Sequence, residues 1–201
     1  MKNTSRSPVV IKLIIAAFIF LAAPQIMMAQ TTYTLSDSPD AFIKVSGKSN
    51  VHDWDMTSTK MESQGKFKFT GEILNDLTSL SFSLPAKSLK SGKSSMDNRT
   101  YKSINAEKYP AINYRLTSAT VTSIQKDKYL IKTKGALTIA GVTQPITIDV
   151  TAVINPNNTI TCTGKENIQL TDYGIKPPTF MLGAMKVYND LTIQFNLIYK
   201  K

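Results

Sequence analysis

This sequence predicts an all-β fold, about eight antiparallel strands closed into a barrel, with one short helix. Three observations predict it. From residue 30 onward, apolar side chains recur at every second position rather than at helical spacing. Turn residues punctuate these runs at short intervals. A long succession of antiparallel strands removes its exposed edges most completely by closing on itself. The same alternation also suits a two-sheet sandwich, so period alone leaves that architecture open.

The first 29 residues stand apart from this pattern. Their charges are Lys2, Arg6 and Lys12, followed by an unbroken apolar run from Leu13 to Ala23. With small Ala29 preceding Gln30, this reads as a secretory signal peptide cleaved after Ala29, although Met27 stands where a small residue is preferred, and a retained N-terminal anchor is the alternative. Pro24 interrupts the apolar stretch, which falls short of the roughly 20 apolar residues of a spanning helix. No later segment is long and apolar enough to cross a bilayer. The expected domain is therefore 30–201, located in the periplasm or secreted, and large enough for one core or one lined cavity.

Along that domain the elements follow in order. SNVHDWDM (49–56) reads as a strand placing Asn50, His52, Trp54 and Met56 on one face, with Asp53 and Asp55 on the other. Phe67 and Phe69 alternate with Lys66, Lys68 and Thr70, and Leu80, Phe82 and Leu84 alternate with Ser79, Ser81 and Ser83. Ser94 or Ser95 caps a helix running from Met96 to about Ile104, with Asp97 in the first turn where the helix dipole favours it. Pro110 opens a strand carrying Ile112, Tyr114 and Leu116 on one face. Ile131, Leu137 and Ile139 share a face of the next run, Ala140-Gly141 turns a hairpin, and Ile146, Ile148 and Val150 face the same way on its return. Asn155-Pro156-Asn157-Asn158 makes the next turn. Tyr173 to Met185 is irregular, and the chain closes on a long strand with Val187, Leu191, Ile193, Phe195, Leu197 and Tyr199 on one face.

Charge and chemistry narrow the function classes. The chain is formally +10, and between Leu84 and Lys134 eleven basic residues face only Asp97, Glu107 and Asp127. An exported protein without an aromatic-rich nucleic-acid motif gives that surplus no nucleic acid to bind, and a solvated basic face is the plain alternative. A single cysteine, Cys162, forbids an intrachain disulfide, so the fold rests on its apolar interior. One histidine and one cysteine are too few for a zinc site. Strand geometry turns the carboxylates of Asp53 and Asp55 away from His52, which removes a catalytic dyad. No nucleophile elbow, phosphate loop or paired cysteine motif occurs, and no cofactor is expected. Asn98-Arg99-Thr100 and Asn157-Asn158-Thr159 match the glycosylation pattern, which is common by chance.

Four segments in this order are familiar. GALTIAGVTQPITIDV (135–150), MDNRTYKSINAEKYPAINYRL (96–116), IQLTDYGIKPP (168–178) and VYNDLTIQFNL (187–197) together resemble the YceI-like family of exported lipid-binding proteins, over about residues 40–200. The resemblance implies an extended, lipocalin-like antiparallel barrel that binds a long amphiphile, polyisoprenoid or fatty-acid-derived, in an elongated pocket. It also implies a periplasmic location in Gram-negative bacteria and a non-catalytic role. The chain departs from some members in lacking extra histidines and an aromatic cluster near the first strands, so ligand identity is not carried over.

The inward face expected to line such a pocket comprises His52, Trp54, Phe67, Phe69, Phe82, Leu84, Ile112, Tyr114, Leu137, Ile139, Ile146, Ile148, Leu191, Ile193 and Phe195. Each is equally suited to plain core. Lys90, Lys93, Arg99 and Lys102, beside the helix, are candidates to meet an anionic headgroup at the mouth. The expected partner is a lipid-like small molecule, with a homodimer an admissible assembly. The competing function class is a ligand-free structural or protein-interaction β-domain whose inward side chains interlock.

Overall fold

The computed structural model describes residues 28–201, so the expected leader lies outside the described residues except for its last two. Eleven strands and one α-helix form among them. They are β1 (Met28–Leu35), β2 (Phe42–Ser49), β3 (Asp53–Ser58), β4 (Glu62–Thr70), β5 (Ile73–Pro85), α1 (Ser94–Ser103), β6 (Ala111–Gln125), β7 (Lys128–Ile139), β8 (Val142–Ile154), β9 (Ile160–Gln169), β10 (Thr179–Phe180) and β11 (Met185–Lys200). Every pairing between them is antiparallel. The order β1-β4-β5-β6-β7-β8-β9-β11 closes where Thr34 and Leu35 of β1 meet Lys200 and Tyr199 of β11. Eight strands thus make a ring, and the sandwich alternative is excluded. β2 takes over the same edge of β11 where β1 leaves it, and β3 continues the wall beyond. β1 pairs from Met28, and Gln30 to Thr34, which follow the expected cleavage point, are in register with Lys68 to Gln64.

Local chemistry sets the turns. The β7–β8 hairpin pairs Ile139 with Val142 across Ala140 and Gly141, both at positive φ (50° and 81°), the type I′ geometry that matches strand twist. The β6–β7 turn uses Asp127 and the β8–β9 turn Asn158, each in the left-handed region that short polar side chains tolerate.

The ring is uneven because two of its ladders are short. β5 bonds β6 only over Ser81–Pro85, and β8 bonds β9 only over Val150–Ile154. At the first seam Tyr129 fills the gap, its hydroxyl accepting the free N–H of Leu74 at 3.3 Å. At the second, Leu170 to Tyr173 form a single 3₁₀ turn packed between the parted strands, with Gln144 Nε2 donating to the Asp172 carbonyl at 2.7 Å.

Two elements depart from expectation. The strand expected over 49–56 is broken, since Ser49 ends β2 and β3 begins only at Asp53. Ser49 to His52 form the β2–β3 turn, in which the Ser49 hydroxyl donates to the His52 carbonyl (2.9 Å) and accepts the His52 N–H (3.1 Å). A serine hydroxyl offering local hydrogen bonds competes with the ladder here. The helix begins at Ser94 with Lys93 in the cap position and no side-chain cap. Instead Ser91, three residues upstream of the helix, binds Asp97.

Candidate functional site

The inward faces do not interlock. A cavity of about 760 Å³, within the usual range for small-molecule sites, runs inside the ring. Its lining on β11 extends from Met185 to Tyr199, about 46 Å of strand at a rise of about 3.3 Å per residue. One end is floored by aromatic rings. Phe67 packs edge-on to Tyr33 at 5.3 Å between ring centres and lies 5.7 Å from Tyr199, whose hydroxyl bonds Ser63 at 2.8 Å. The other end opens between the β2–β3 turn, α1 and the segment from Pro178 to Val187.

Of the fifteen positions expected to line a pocket, all but Phe69 border this cavity. Phe69 packs against the core instead. It lies one step below the floor, 6.2 Å from Tyr33, on the far side of bulges in the β4–β5 ladder at Lys66/Phe67 and Lys68/Phe69. His52 borders the mouth rather than the interior. It is exposed, with Nδ1 2.9 Å from the Asp53 carbonyl, and its two aspartate neighbours pair with Lys48 and Lys44. Sequence reasoning missed Cys162, Glu166, Tyr173, Ile175, Phe180 and Met185, which also border the space.

What keeps the interior open is a set of inward glycines. Gly47 stands directly opposite Trp54, and Gly164 directly opposite Phe195. Gly135 lies under the ring of Tyr114. In each case a Cβ on the glycine would collide with the aromatic ring. The rings therefore lie flat against the wall instead of crossing the lumen, using the space that a side chain would fill. Gly47, Gly135 and Gly164 all occupy inward positions of their strands.

Few polar atoms face this space, and their environment perturbs them. Glu166 continues the inward series Cys162, Gly164, Ile168. Burial holds its carboxyl above the usual carboxylate range, an effect that the Asn167 N–H opposes and the charge of Asp149 augments. Burial pushes the Cys162 thiol up to about 12 and the Tyr173 hydroxyl up to about 12, the latter helped by Asp172 and Glu166. The Tyr114 hydroxyl and Trp54 Nε1 are buried without a hydrogen-bond partner. Burial also raises the Tyr114 hydroxyl, tempered by the neighbouring Thr133 hydroxyl, whose own hydrogen goes to the Ile148 carbonyl at 3.0 Å. This interior suits an apolar guest, with few sites for a polar one.

The four basic candidates divide. Lys93 and Arg99 border the mouth, and the Arg99 guanidinium stacks 4.6 Å over the Phe180 ring. Lys90 and Lys102 do not border it. Lys90 sits 5.1 Å over Tyr101 and 3.9 Å from Asp97, and Lys102 is exposed on α1.

Solved structures share this architecture. BcnA of Burkholderia cenocepacia matches with a TM-score of 0.65 at 19% identity, covering 82% of this chain and 98% of that one. A polyisoprenoid-binding domain from Saccharophagus degradans, implicated in plant cell wall breakdown, matches at 0.62 with 12% identity over 86% and 99%. The Campylobacter jejuni YCEI protein matches at 0.54 with 16% identity over 100% and 99%. No curated protein matches the chain by sequence. Identities this low establish the fold alone. The model of the YceI-like domain, however, matches residues 33–199, almost the whole barrel, and the chain therefore belongs to the YceI-like family.

Proposed function

We propose that this protein binds the hydrocarbon tail of a long-chain amphiphile, polyisoprenoid or fatty-acid-derived, and acts without catalysis as a carrier or store outside the cytoplasm. The observation that carries this is the open apolar cavity running the length of the ring. Burying a methylene contributes about 0.8 kcal/mol, so ten carbons supply roughly 8 kcal/mol. Gross, that corresponds to micromolar affinity, before ordering and desolvation costs reduce it. A greasy channel of matching shape is thus sufficient to hold a tail. The similarity to a polyisoprenoid-binding domain supports an isoprenoid chain as one candidate. That Lys93 and Arg99 border the mouth supports a role for them in meeting an anionic headgroup. The leader-like first 29 residues support the extracytoplasmic location.

Native mass spectrometry of freshly purified protein tests this. A retained hydrophobic adduct, identified after extraction, is the expected result. A clean apo mass, with no uptake of added isoprenoid or fatty acid, would overturn the proposal. Phosphate- or carboxylate-headed lipids binding no better than neutral ones of equal chain length would remove the headgroup role of Lys93 and Arg99.

A further inference from the structure

The rim of the mouth carries apolar side chains that the fold does not use. Leu182 is 110% exposed, Met181 72% and Val51 60%. They belong to one rim, because Asn50 ties the β2–β3 turn to the 181–187 segment. Its side chain donates to the Ala184 carbonyl (2.9 Å) and accepts the Lys186 N–H (2.7 Å), and its own N–H reaches the Lys186 carbonyl (3.1 Å). The Arg99–Phe180 stack joins α1 to the same segment.

The tip is held in a strained backbone conformation. Met181 and Leu182 are consecutive non-glycine residues in the left-handed region, at φ 53° and 55°, followed by Gly183 at 92°. Bulky side chains rarely adopt that conformation, and strain of this kind gathers at functional sites. A tip needing only to turn would be served by glycine or asparagine. This one projects two large apolar groups into solvent beside a cavity whose own lining includes Phe180 and Met185.

Charge completes the surface. The segments around the mouth, 48–56, 90–103 and 174–187, carry Lys48, Lys90, Lys93, Arg99, Lys102, Lys176 and Lys186 against Asp53, Asp55 and Asp97; Lys93 and Arg99 border the mouth itself, and Lys48 and Lys90 stand 3.9 Å from Asp53 and Asp97. Asp97 is buried and bonded to Ser91, and Asp55 is paired with Lys44. An apolar tip whose flanking segments carry a surplus of exposed cations matches an anionic bilayer surface, where the tip enters the acyl boundary and the cations meet phosphates.

We propose that this rim docks on an anionic phospholipid surface, with Met181, Leu182 and Val51 inserted, so that the cavity mouth opens against the membrane rather than water. The inference rests on the lipid-binding reading, since its consequence is direct passage of a tail between bilayer and lumen. Met181 and Leu182 do not border the cavity, which separates docking from holding a ligand.

The test is co-flotation of the purified protein with phosphatidylcholine vesicles, with and without phosphatidylglycerol. The protein should float with the anionic vesicles, weakly with the neutral ones, and less as salt is raised. Met181→Asp/Leu182→Asp should reduce flotation about tenfold or more while its mass spectrum keeps the adduct. Leu182→Gly provides a second variant that relieves the strained φ. It should unfold at higher temperature than the parent and still float less. No association with anionic vesicles, equal association with neutral ones, or unchanged flotation of both variants would overturn docking. A retained adduct without flotation ends docking alone, and flotation with a clean apo mass ends the tail-binding proposal alone. Capture of a protein partner through Leu182, with no vesicle binding, would also overturn it.

Discussion

Phe195 stands directly across the β9–β11 ladder from Gly164, and a Cβ at position 164 would fall inside the contact distance of three of its ring carbons. The ring occupies the wall because the glycine leaves it room. Gly164→Ala should therefore swing Phe195 into the lumen. Overpacking of this kind costs about 1–3 kcal/mol, and an equal loss of binding energy corresponds to roughly tenfold or more in affinity. Titration with a fluorescent fatty acid, beside a denaturant melt, measures both. Unchanged affinity in a folded variant would show that the ring does not bound the ligand space.

Glu166 makes the lumen pH-dependent. Its folded-state value lies above its unfolded one, so the unfolded chain releases its proton first as pH rises. Stability contributed by this group is then lost from the ordinary carboxylate range upward, until pH passes the raised value. Glu166→Gln removes that penalty. The variant should be the more stable one at about pH 8 and converge with the parent below about pH 4, where both states keep the proton. Chemical denaturation at the two pH values checks this. A variant less stable than the parent at about pH 8 would mean that the carboxylate has a compensating partner.

Cys162 borders the same lumen yet should be inert there. Burial pushes its thiol up to about 12. Against a free thiol near 8.5, the reactive thiolate at about pH 8 is scarcer by about a thousandfold. An aromatic disulfide reagent should label the folded protein correspondingly slowly and the urea-unfolded protein at the rate of a model thiol. Fast labelling of folded protein would place water, or a cation, beside the sulfur.

The strands and their inward faces were legible because alternation is a local property that runs undisturbed through β7, β8 and the Ser81–Pro85 end of β5, whereas bulges interrupt it in the rest of β5, in β6 and in β11. The failures have local physical causes. His52 borders the cavity only at its mouth, because the Ser49 hydroxyl closes a turn where alternation predicts a continuing strand. Phe69 keeps the right parity, but depth along a strand depends on where the Tyr33–Phe67–Tyr199 floor forms, a long-range arrangement without a period. Glu166 was overlooked because an inward charge contradicts the apolar pattern by which faces are assigned, although the series Cys162-Gly164-Glu166-Ile168 carries it. The open lumen itself depends on glycines meeting rings on neighbouring strands, a pairing fixed by register and not by composition.

Asp97 should govern how firmly α1 covers the mouth. The helix has no side-chain cap of its own, while Met96, Arg99, Thr100 and Ser103 border the cavity from it. Asp97 accepts the Ser91 N–H at 2.8 Å and the Ser91 hydroxyl at 2.7 Å. Burial alone would raise its carboxyl, but these two bonds, with Lys90 at 3.9 Å, hold it below the usual carboxylate range. A depressed carboxyl contributes stability that is present above its unfolded value and lost as pH falls through the folded one. Asp97→Asn keeps the shape and removes the charge, and should cost about 1–2 kcal/mol at neutral pH, the scale of a charge-assisted hydrogen bond. The deficit should shrink as pH drops through the acid range, because the parent then loses the same charge. Urea melts at neutral and acid pH measure the difference. A deficit that is independent of pH would assign the loss to packing of the asparagine rather than to the carboxylate, and would leave Ser91 as a mere neighbour of the helix.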